Sequence, residues 1–355
     1  MIAEHYDVLA VSSPGEDLGI VEEREGVRVN AVPMERHISP FKDLLSLFRL
    51  IAIFRRERPQ IVHSHTPKAG LLSMLAAKIC GVPVRIHTFT GLVFPNAKGL
   101  KRRLLITTDR LTCACATVVN PEGEGVKREL IKASITSKPL EIIGNGNVNG
   151  LDTDYYRRSE DVMLVAHPYQ RDEVFTFCFV GRVVGDKGMN ELARAFRRLC
   201  DEGAKIRLII VGSFEENLDP VLPETKDYFL HSPNVEFMGW QDDIRPFLAA
   251  SDAFVFPSYR EGFPNVLLQA GAMQLPIIAT DICGSNEIVR DGENGVIIPS
   301  KDEEQLYQAM SDFLKSPEKV KAMASKARQM IASRYEQREL WNALLQFYST
   351  KSTNL

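Results

Sequence analysis

The stretch "AFVFPSYREGFPNVLLQAGAMQLPIIAT", residues 253–280, contains every part of one strand–helix–strand unit. The runs "AFVFPS" and "PIIAT" have the apolar composition of buried strands. Between them, Pro264 suits the first turn of a helix, where a missing backbone N–H costs nothing. A strand, a helix and a strand in this order are typical of parallel sheets. The stretch therefore predicts an α/β fold.

The same alternation extends over both halves of the chain. Predicted strands in the first half are "YDVLAVSS", "VRVNAVP", "QIVHSH", "VRIHTF" and "ATVVN", and predicted helices are Phe41–Arg56, Lys68–Cys80, Leu100–Leu111 and Glu122–Ala133. Predicted strands in the second half are "FTFCFVG", "IRLIIVG", "VEFMG", "AFVFPS", "PIIAT" and "GVIIP". Two doubly wound, Rossmann-like domains follow from this pattern.

A segment rich in Gly and Asn, "EIIGNGNVNG", separates the two halves. Such residues adopt positive φ easily, so we predict a hinge near Asn147–Leu151. The predicted domains are 1–148 and 149–334. The remaining segment, 335–355, is a predicted helix whose apolar spacing suggests that it packs back towards the N-terminal domain.

The N-terminal domain departs from the usual doubly wound pattern at its start. Such domains open with a strand and a Gly-containing turn that binds phosphates. Here the first predicted strand runs into "SSPGEDLG" and then directly into a second strand. We therefore expect that the first βα unit of this domain is missing. No G-x-G-x-x-G motif occurs, which argues against a dinucleotide-dependent dehydrogenase.

The composition, 45% hydrophobic and 25% charged with a net charge of −3, is that of a globular protein. Residues 42–150 nevertheless carry 17 Lys+Arg and 7 Asp+Glu, a net +10, which leaves −13 for the remainder. This asymmetry suggests anionic partners such as phosphates, a lipid surface or nucleic acid; a solvated surface with nothing bound is the alternative.

The cysteine pattern and the apolar runs bear on location. All six cysteines stand in apolar segments and are expected to be buried free thiols of a reducing cytosol. No uncharged run reaches the ~18 residues of a membrane-spanning helix. Met1 leads directly towards a strand, without the pattern of a signal peptide. A cytoplasmic protein is expected, with peripheral attachment to the inner membrane face as an option.

Polar residues follow several strands of the second half, at the edge of the sheet where ligands bind in open parallel sheets. Arg182 and Lys187 flank a tight turn before a helix and suit a diphosphate; a solvated basic turn is the alternative. Glu261 stands ahead of the next helix, where it can accept hydrogen bonds from sugar hydroxyls. Gln269 is expected two turns into that helix, and a packed amide is the alternative. Residues 284–286 open a further helix towards the same crevice.

The first half offers weaker candidates. His63, His65 and His87 alternate with apolar residues, a pattern more often due to structural histidines than to ligands. The segment Lys98–Arg103 mixes Lys98, Lys101, Arg102 and Arg103 with leucines, as in a helix on anionic lipid or in an ordinary amphipathic surface helix. Nucleic acid is not an expected partner, because surface aromatics and a binding module are not recognisable.

With these residues identified, the chain resembles the family 4 glycosyltransferases of the GT-B type, which consist of two Rossmann-like domains. The carrying motifs are "GRVVGDKG", "VEFMGWQDD", "PSYREGFPNVLLQAGAMQLPIIAT" and "GSNEIVRDGENGVIIP". "HSHTPKAG" followed by "HTFTGL" is similar to members that build bacterial capsule, O-antigen and related glycans. The resemblance covers nearly all of the chain.

This resemblance implies a retaining transfer of a hexosyl or N-acetylhexosaminyl group from a nucleotide sugar, most often a UDP-sugar, to a glycan or lipid-linked glycan. Arg182 and Lys187 would bind the donor diphosphate, so neither a metal nor a cofactor is expected. Glu261 would bind the donor sugar. Further donor-side positions are Gly181, Met238, Gly239, Trp240, Gly262, Phe263, Pro264, Asn265, Gln269 and Ser285. Acceptor-side positions are His65, Lys68, Thr90 and Gly91.

Two positions differ from the pattern of the family. Gln269 stands where a second glutamate usually binds the ribose, and we expect weaker nucleotide binding from it. Thr90 stands where many members have a histidine. Together with the short N-terminus, these differences leave open an impaired or non-catalytic glycosyltransferase-like protein. A nucleotide-sugar epimerase or a phosphorylase on the same fold is the other alternative.

Overall fold

Strands and helices alternate through most of the chain in a computed structural model that describes residues 2–35, 39–217 and 219–353. Two compact units are formed. One contains the chain up to Val148 and resumes at Arg338, and the other contains Asn149–Gln337. Each unit has its own apolar core. The predicted α/β class with two Rossmann-like domains is therefore confirmed.

The N-terminal unit is built from short parallel strands covered by helices. Its strands are β1 (Leu9–Ser12), β2 (Arg28–Ala31), β3 (Ile61–His65), β4 (Val84–Phe89) and β5 (Val118–Pro121). Its first helices are α1 (Ile2–His5), α2 (Glu16–Glu25), α3 (Pro40–Glu57), α4 (Pro67–Ile79), α5 (Gly99–Cys115) and α6 (Glu124–Lys132). The strands form two sheets, β1-β2 and β3-β4-β5, each parallel throughout.

The prediction that the first two strands follow one another directly is wrong, because helix α2 stands between them. It connects β1 to β2, and the parallel pairing of these strands makes them a βαβ unit. The sequence pattern did not indicate this helix because its apolar residues are few and none of its residues is fully buried. The absence of a further, preceding βα unit stays a prediction.

The C-terminal unit contains a six-stranded parallel sheet. Its strands are β6 (Phe175–Val180), β7 (Ile206–Val211), β8 (Val235–Gly239), β9 (Ala253–Phe256), β10 (Ile277–Thr280) and β11 (Gly295–Ile298). Its helices are α7 (Glu160–Ala166), α8 (Met189–Asp201), α9 (Pro223–His231), α10 (Arg245–Ala249), α11 (Asn265–Ala272), α12 (Ser285–Ile288), α13 (Glu303–Lys315) and α14 (Pro317–Tyr335). The strand order is β11-β10-β9-β6-β7-β8.

The last helix, α15 (Gln337–Thr353), follows α14 directly. From Arg338 onward it groups with the N-terminal unit. There the Tyr348 hydroxyl lies 2.6 Å from Nδ1 of His63, and Lys351 forms a 2.8 Å ion pair with Glu141. Aromatic, polar and charged contacts thus fix this helix within the N-terminal unit.

The cysteines and the helices test two further expectations. All six cysteines are free thiols, but only Cys113, Cys115 and Cys178 are buried, so the expectation of six buried thiols is half wrong. Cys80, Cys200 and Cys283 are half-buried, because they stand at the ends of elements. Among the described helices, none has the length and hydropathy needed to cross a membrane.

Candidate active site

The order of strands defines a switch point in the C-terminal sheet. From β6 the chain moves one way to β7 and β8, then returns to β9 on the other side of β6 and continues to β10 and β11. In open parallel sheets, ligands bind outside the carboxyl ends of the two strands at such a reversal. The loops after β6 and β9 are therefore the first place to look for a site.

The loop after β6 ends in a tight turn that positions Lys187. A 3-10 turn, Gly185–Lys187, leads to Gly188 at φ 71°, and α8 begins with the next residue. A side chain on Gly188 would overlap Pro257 of the loop after β9. Glycine is thus required here both for its backbone conformation and for the close packing of the two loops.

At the switch point, the side chain of Lys187 forms an ion pair with Oε1 of Glu261. The two side chains are only 12% and 17% exposed, so water screens the pair poorly. Ser258 donates a hydrogen bond of 2.9 Å to the same carboxylate oxygen. The structure therefore brings together two of the three predicted catalytic residues and fixes one oxygen of the carboxylate.

Arg182, the third predicted catalytic residue, has a different partner. Its Nη1 lies 3.3 Å from Oε2 of Glu215, and its side chain is 43% exposed. Ion pairs this exposed contribute little to stability. The guanidinium can therefore exchange Glu215 for an anionic ligand at low cost. Sequence reasoning singled out neither Glu215 nor Ser258. Glu215 contacts a residue 33 positions away, whereas Ser258 stands only three positions before Glu261, and its place directly after a predicted strand could have indicated it.

Helix α11 carries the amide on which the sequence prediction focused. Pro264 is its N-cap, one residue ahead of the predicted first turn. Gln269 is the fifth residue of the helix, so it lies one turn inside and not two. Its Nε2 donates a hydrogen bond of 2.8 Å to the Tyr156 hydroxyl. Phe263 is buried, and its ring lies 5.5 Å from that of Tyr335. Because the side chain packs in the core, only the backbone of Phe263 is in a position to contact a ligand.

Two further predicted donor-side segments also follow strands of this sheet. Ser285 is the first residue of α12 and is fully buried; its Oγ has no hydrogen-bond partner among the residues that the structure describes. Gly239 ends β8 at φ 63° and is followed by Trp240, which is 75% exposed. An exposed indole beside a turn provides a flat surface for stacking.

The remaining donor-side positions surround the two loops. Gly181 follows β6 at φ 152° and donates its N–H to the carbonyl of Val211 at 2.9 Å. Met238, Gly262 and Asn265 are half-buried. The amide of Gln241 donates to the Met238 carbonyl at 2.9 Å, which closes the turn after β8. The loops after β6, β8, β9 and β10 thus lie at the same edge of one parallel sheet.

The acceptor-side candidates lie at the ends of β3 and β4, which are neighbours in the N-terminal unit. His65 is the exposed last residue of β3, and Lys68 forms a 2.8 Å ion pair with Asp43. Thr90 is half-buried directly after β4, and Gly91 follows at φ 146°. Their place at one edge of the sheet fits a binding role.

The other two histidines of these strands are structural. His63 lies between the Tyr348 hydroxyl and Thr88 Oγ1, at 2.6 and 2.7 Å. His87 is 2.9 Å from Ser64 Oγ. Burial, with help from nearby His65, lowers the pKa of His63 well below its usual value and that of His87 to about 3. Both rings are therefore neutral near pH 7.

Two α/β units with parallel sheets, one of them with a lysine–glutamate pair at its switch point, place the chain in the GT-B class. Family models match both parts: "Glycosyl transferase 4-like domain" at residues 1–146 and "Glycosyl transferases group 1" at 174–316. The chain belongs to the glycosyl transferase family.

Individual relatives support the same assignment. The capsular polysaccharide biosynthesis glycosyltransferase CapM of Staphylococcus aureus is 30% identical over 98% of this chain and 90% of its own length. The UDP-Gal:α-D-GlcNAc-diphosphoundecaprenol α-1,3-galactosyltransferase of Escherichia coli is 29% identical over 81% of this chain and 74% of its own length.

A solved structure supports the fold. The crystal structure of Anabaena HepE in complex with UDP superposes with a TM-score of 0.80 at 19% identity, covering 98% of this chain and 94% of that one. The predicted resemblance to bacterial surface-polysaccharide glycosyltransferases and the predicted GT-B fold are both confirmed.

Proposed function

We propose that this protein transfers a sugar from a UDP-sugar to a polyprenyl-diphosphate-linked glycan in the synthesis of a bacterial surface polysaccharide. The observation that carries the proposal is the contact between Lys187 and Glu261 at the switch point of the C-terminal sheet. The Escherichia coli relative is a galactosyltransferase with a UDP-sugar donor and a lipid-diphosphate acceptor, and the Anabaena protein was crystallised with UDP. The assignment of this chain as a glycosyltransferase agrees with both of these proteins.

The Lys187–Glu261 pair suits the two ends of a nucleotide-sugar donor. In the unliganded protein each charge neutralises the other, which avoids an unpaired buried charge. A bound donor would offer its diphosphate to Lys187 and its sugar hydroxyls to Glu261. Ser258 would keep Oε1 in place while Oε2 accepts from a hydroxyl. Arg182 would leave Glu215 for the diphosphate.

The proposed reaction breaks the bond between the sugar C1 and the diphosphate oxygen, and the electron pair leaves with UDP. The acceptor hydroxyl oxygen forms the new bond to C1 on the same face, and its proton passes to the departing phosphate oxygen, so the configuration is retained. Lys187 and Arg182 would stabilise the negative charge that develops on UDP. We propose that these side chains take the place of a metal ion, so that activity persists in a chelator.

The nucleoside would lie against the segment Met238–Gln241, where Trp240 offers an exposed ring. Gln269 would contact the ribose through Oε1, since its Nε2 already binds Tyr156. On the acceptor side, His65, Lys68, Thr90 and Gly91 would bind the glycan. The basic segment Lys98–Arg103 would attract an anionic membrane that carries the acceptor.

Acceptor-dependent release of UDP tests this function. Purified protein is incubated with UDP-sugars, or with GDP-mannose for comparison, and with an undecaprenyl-diphosphate-linked sugar. NMR of the product reports the configuration at C1. Release that needs the acceptor supports transfer, whereas UDP binding without release indicates a non-catalytic protein. Release without an acceptor indicates hydrolysis or another activity on the same fold.

We predict that Lys187→Ala lowers turnover at least about tenfold, because one well-placed donor contributes roughly 3–4 kcal/mol to the stabilisation of a developing charge. Steady-state kinetics with the UDP-sugar measures the effect. Lys205→Ala is the matched control, since Lys205 is an exposed lysine of the same unit whose nearest carboxylate is 4.0 Å away. Equal turnover of both variants and the wild type would remove the pair from the mechanism.

A further inference from the structure

The outer face of α3 is apolar although it faces solvent. Phe41 is 90% exposed and Phe48 59%, and Leu44 and Leu45 are each about half exposed. Phe41, Leu45 and Phe48 stand at i, i+4 and i+7, so they form one stripe along the helix. The opposite face of α3 is buried in the core through Leu50 and neighbouring residues. An ordinary surface helix has only one apolar stripe, so this second one needs an explanation.

Cationic side chains flank the outer stripe. At 100° per residue, Lys42, Arg49 and Arg56 fall on one side of it, and Arg55 falls on the other. All four are exposed. An apolar stripe between rows of Lys and Arg is the pattern of helices that lie in the interface of an anionic membrane.

The two carboxylates of α3 are engaged elsewhere. Asp43 forms its 2.8 Å ion pair with Lys68, and Glu57 binds Arg28 at 2.8 Å and Arg56 at 2.7 Å. At the N-terminal end, Lys42 pairs with Glu35. Arg49 and Arg55 therefore remain the principal charges beside the phenylalanines, and both are positive.

A neighbouring helix repeats the pattern. On α5, Leu100 is 82% exposed and Leu104 about half exposed, with Lys101 and Arg103 on either side. Helix α4 packs against both α3 and α5, so the three helices form one layer of the N-terminal unit. The exposed leucines and phenylalanines thus belong to the same layer.

We propose that the outer face of α3 docks on an anionic lipid bilayer, with Phe41 and Phe48 inserted between headgroups and acyl chains and Arg49 and Arg55 against lipid phosphates. The net charge of +10 on residues 42–150, against −13 elsewhere, would turn this layer towards the membrane. A second copy of the chain fits less well, because pairing two such faces would bring their arginines together. This inference goes beyond sugar transfer, since binding to lipid needs no catalytic residue.

Co-sedimentation with vesicles tests the proposal. Phosphatidylcholine vesicles with and without phosphatidylglycerol are compared at low and high salt. We expect binding that requires phosphatidylglycerol and falls by about tenfold or more in F41S/F48S, because each phenylalanine adds apolar burial. The control L164S/L230S removes two exposed leucines from the C-terminal unit and should bind as the wild type does. Lys187→Ala should also bind normally, which separates docking from the proposed chemistry.

Two measurements keep the test decisive. Tryptophan in F48W should shift its emission to shorter wavelength when phosphatidylglycerol vesicles are added, which reports insertion without removing apolar surface. Sedimentation velocity without lipid should show the same mass for the wild type and F41S/F48S. Unchanged vesicle binding of F41S/F48S, the lack of a shift in F48W, or a wild-type dimer that F41S/F48S dissociates would each overturn the proposal.

Comparison with K101A/R102A/R103A separates the two helices of the layer. If α3 inserts and α5 only attracts the surface, the triple variant should lose binding mainly at low salt concentration, because charges act over the longest range there. F41S/F48S should lose it at every salt concentration. A triple variant that abolishes binding while F41S/F48S retains it would assign the docking to α5 and overturn the role of α3.

Discussion

At the scale of single residues, Gln269 depends on a partner distant in the sequence. Its amide nitrogen is held by the hydroxyl of Tyr156, 113 positions earlier, and its oxygen remains an acceptor. Mainly because it is buried, the Tyr156 phenol has a raised pKa. Tyr156 is therefore protonated at neutral pH and can donate as well as accept. The pair could accommodate a carboxylate in place of the amide.

We predict that Gln269→Glu tightens the binding of UDP between about threefold and tenfold, because a hydrogen bond to a charged acceptor is stronger than one to a neutral acceptor. Tyr156 would donate to one oxygen and leave the other for the ribose. Isothermal titration calorimetry measures the affinity. Tyr156→Phe in the same background removes the supporting hydroxyl and should reverse part of the gain. Equal or weaker affinity of Gln269→Glu would contradict a ribose contact.

At the scale of elements, two helix glycines have opposite surroundings. Gly70 of α4 lies against the ring of His87, and an added Cβ would be 2.7 Å from Nδ1 of that ring and closer still to Cε1. The His87 ring is buried and forms a hydrogen bond with Ser64. Its centre lies 4.5 Å from the centre of the Phe89 ring, so the ring has little room to move. Gly19 of α2 has open space around it.

These surroundings predict opposite effects of the same substitution. Gly70→Ala should destabilise the N-terminal unit by about 1–3 kcal/mol through overpacking. Gly19→Ala should stabilise it by about 0.5–1 kcal/mol, because alanine loses less conformational entropy in a helix. Urea unfolding followed by circular dichroism compares the two. A shift of both midpoints in the same direction would show that the His87 ring yields.

At the scale of the whole molecule, buried titratable groups of opposite sign lie in the N-terminal unit. Burial lowers the pKa values of His63 and His87 and raises that of Asp109 to about 7. The histidines are neutral when folded and bind protons when unfolded, so they cost stability as the pH falls below about 6.5. Asp109 is protonated when folded and ionised when unfolded, so it costs stability as the pH rises from about 4 to 7.

We predict that Asp109→Asn stabilises the N-terminal unit by an amount that grows between pH 4 and pH 7 and is constant above pH 7. Asparagine keeps the shape of the protonated acid and cannot ionise. Urea midpoints across this pH range give the difference between variant and wild type. Asp152→Asn, at an exposed aspartate of the other unit, should show no such trend. A pH-independent difference would mean that Asp109 ionises equally well in both states.

The sequence predicted every strand of the C-terminal sheet, because each is a short apolar run between loop residues. It also predicted four helices of the N-terminal unit with errors of a few residues at their ends. Helix α2 was missed because none of its residues is fully buried, so its apolar pattern is weak. The exposure of the outer face of α3 was not predicted for a different reason: a pattern of apolar residues does not show which of them a neighbouring element covers.

The sequence by itself determined the α/β class, the family resemblance and the candidate residues after the strands, because local periodicity and motif spacing are carried by neighbouring residues. Only the tertiary structure decided which candidates meet. Lys187 and Glu261 stand 74 positions apart and touch because β6 and β9 are adjacent, and Arg182 turns instead to Glu215. Strand order is set by packing between distant segments, so no local pattern contains it.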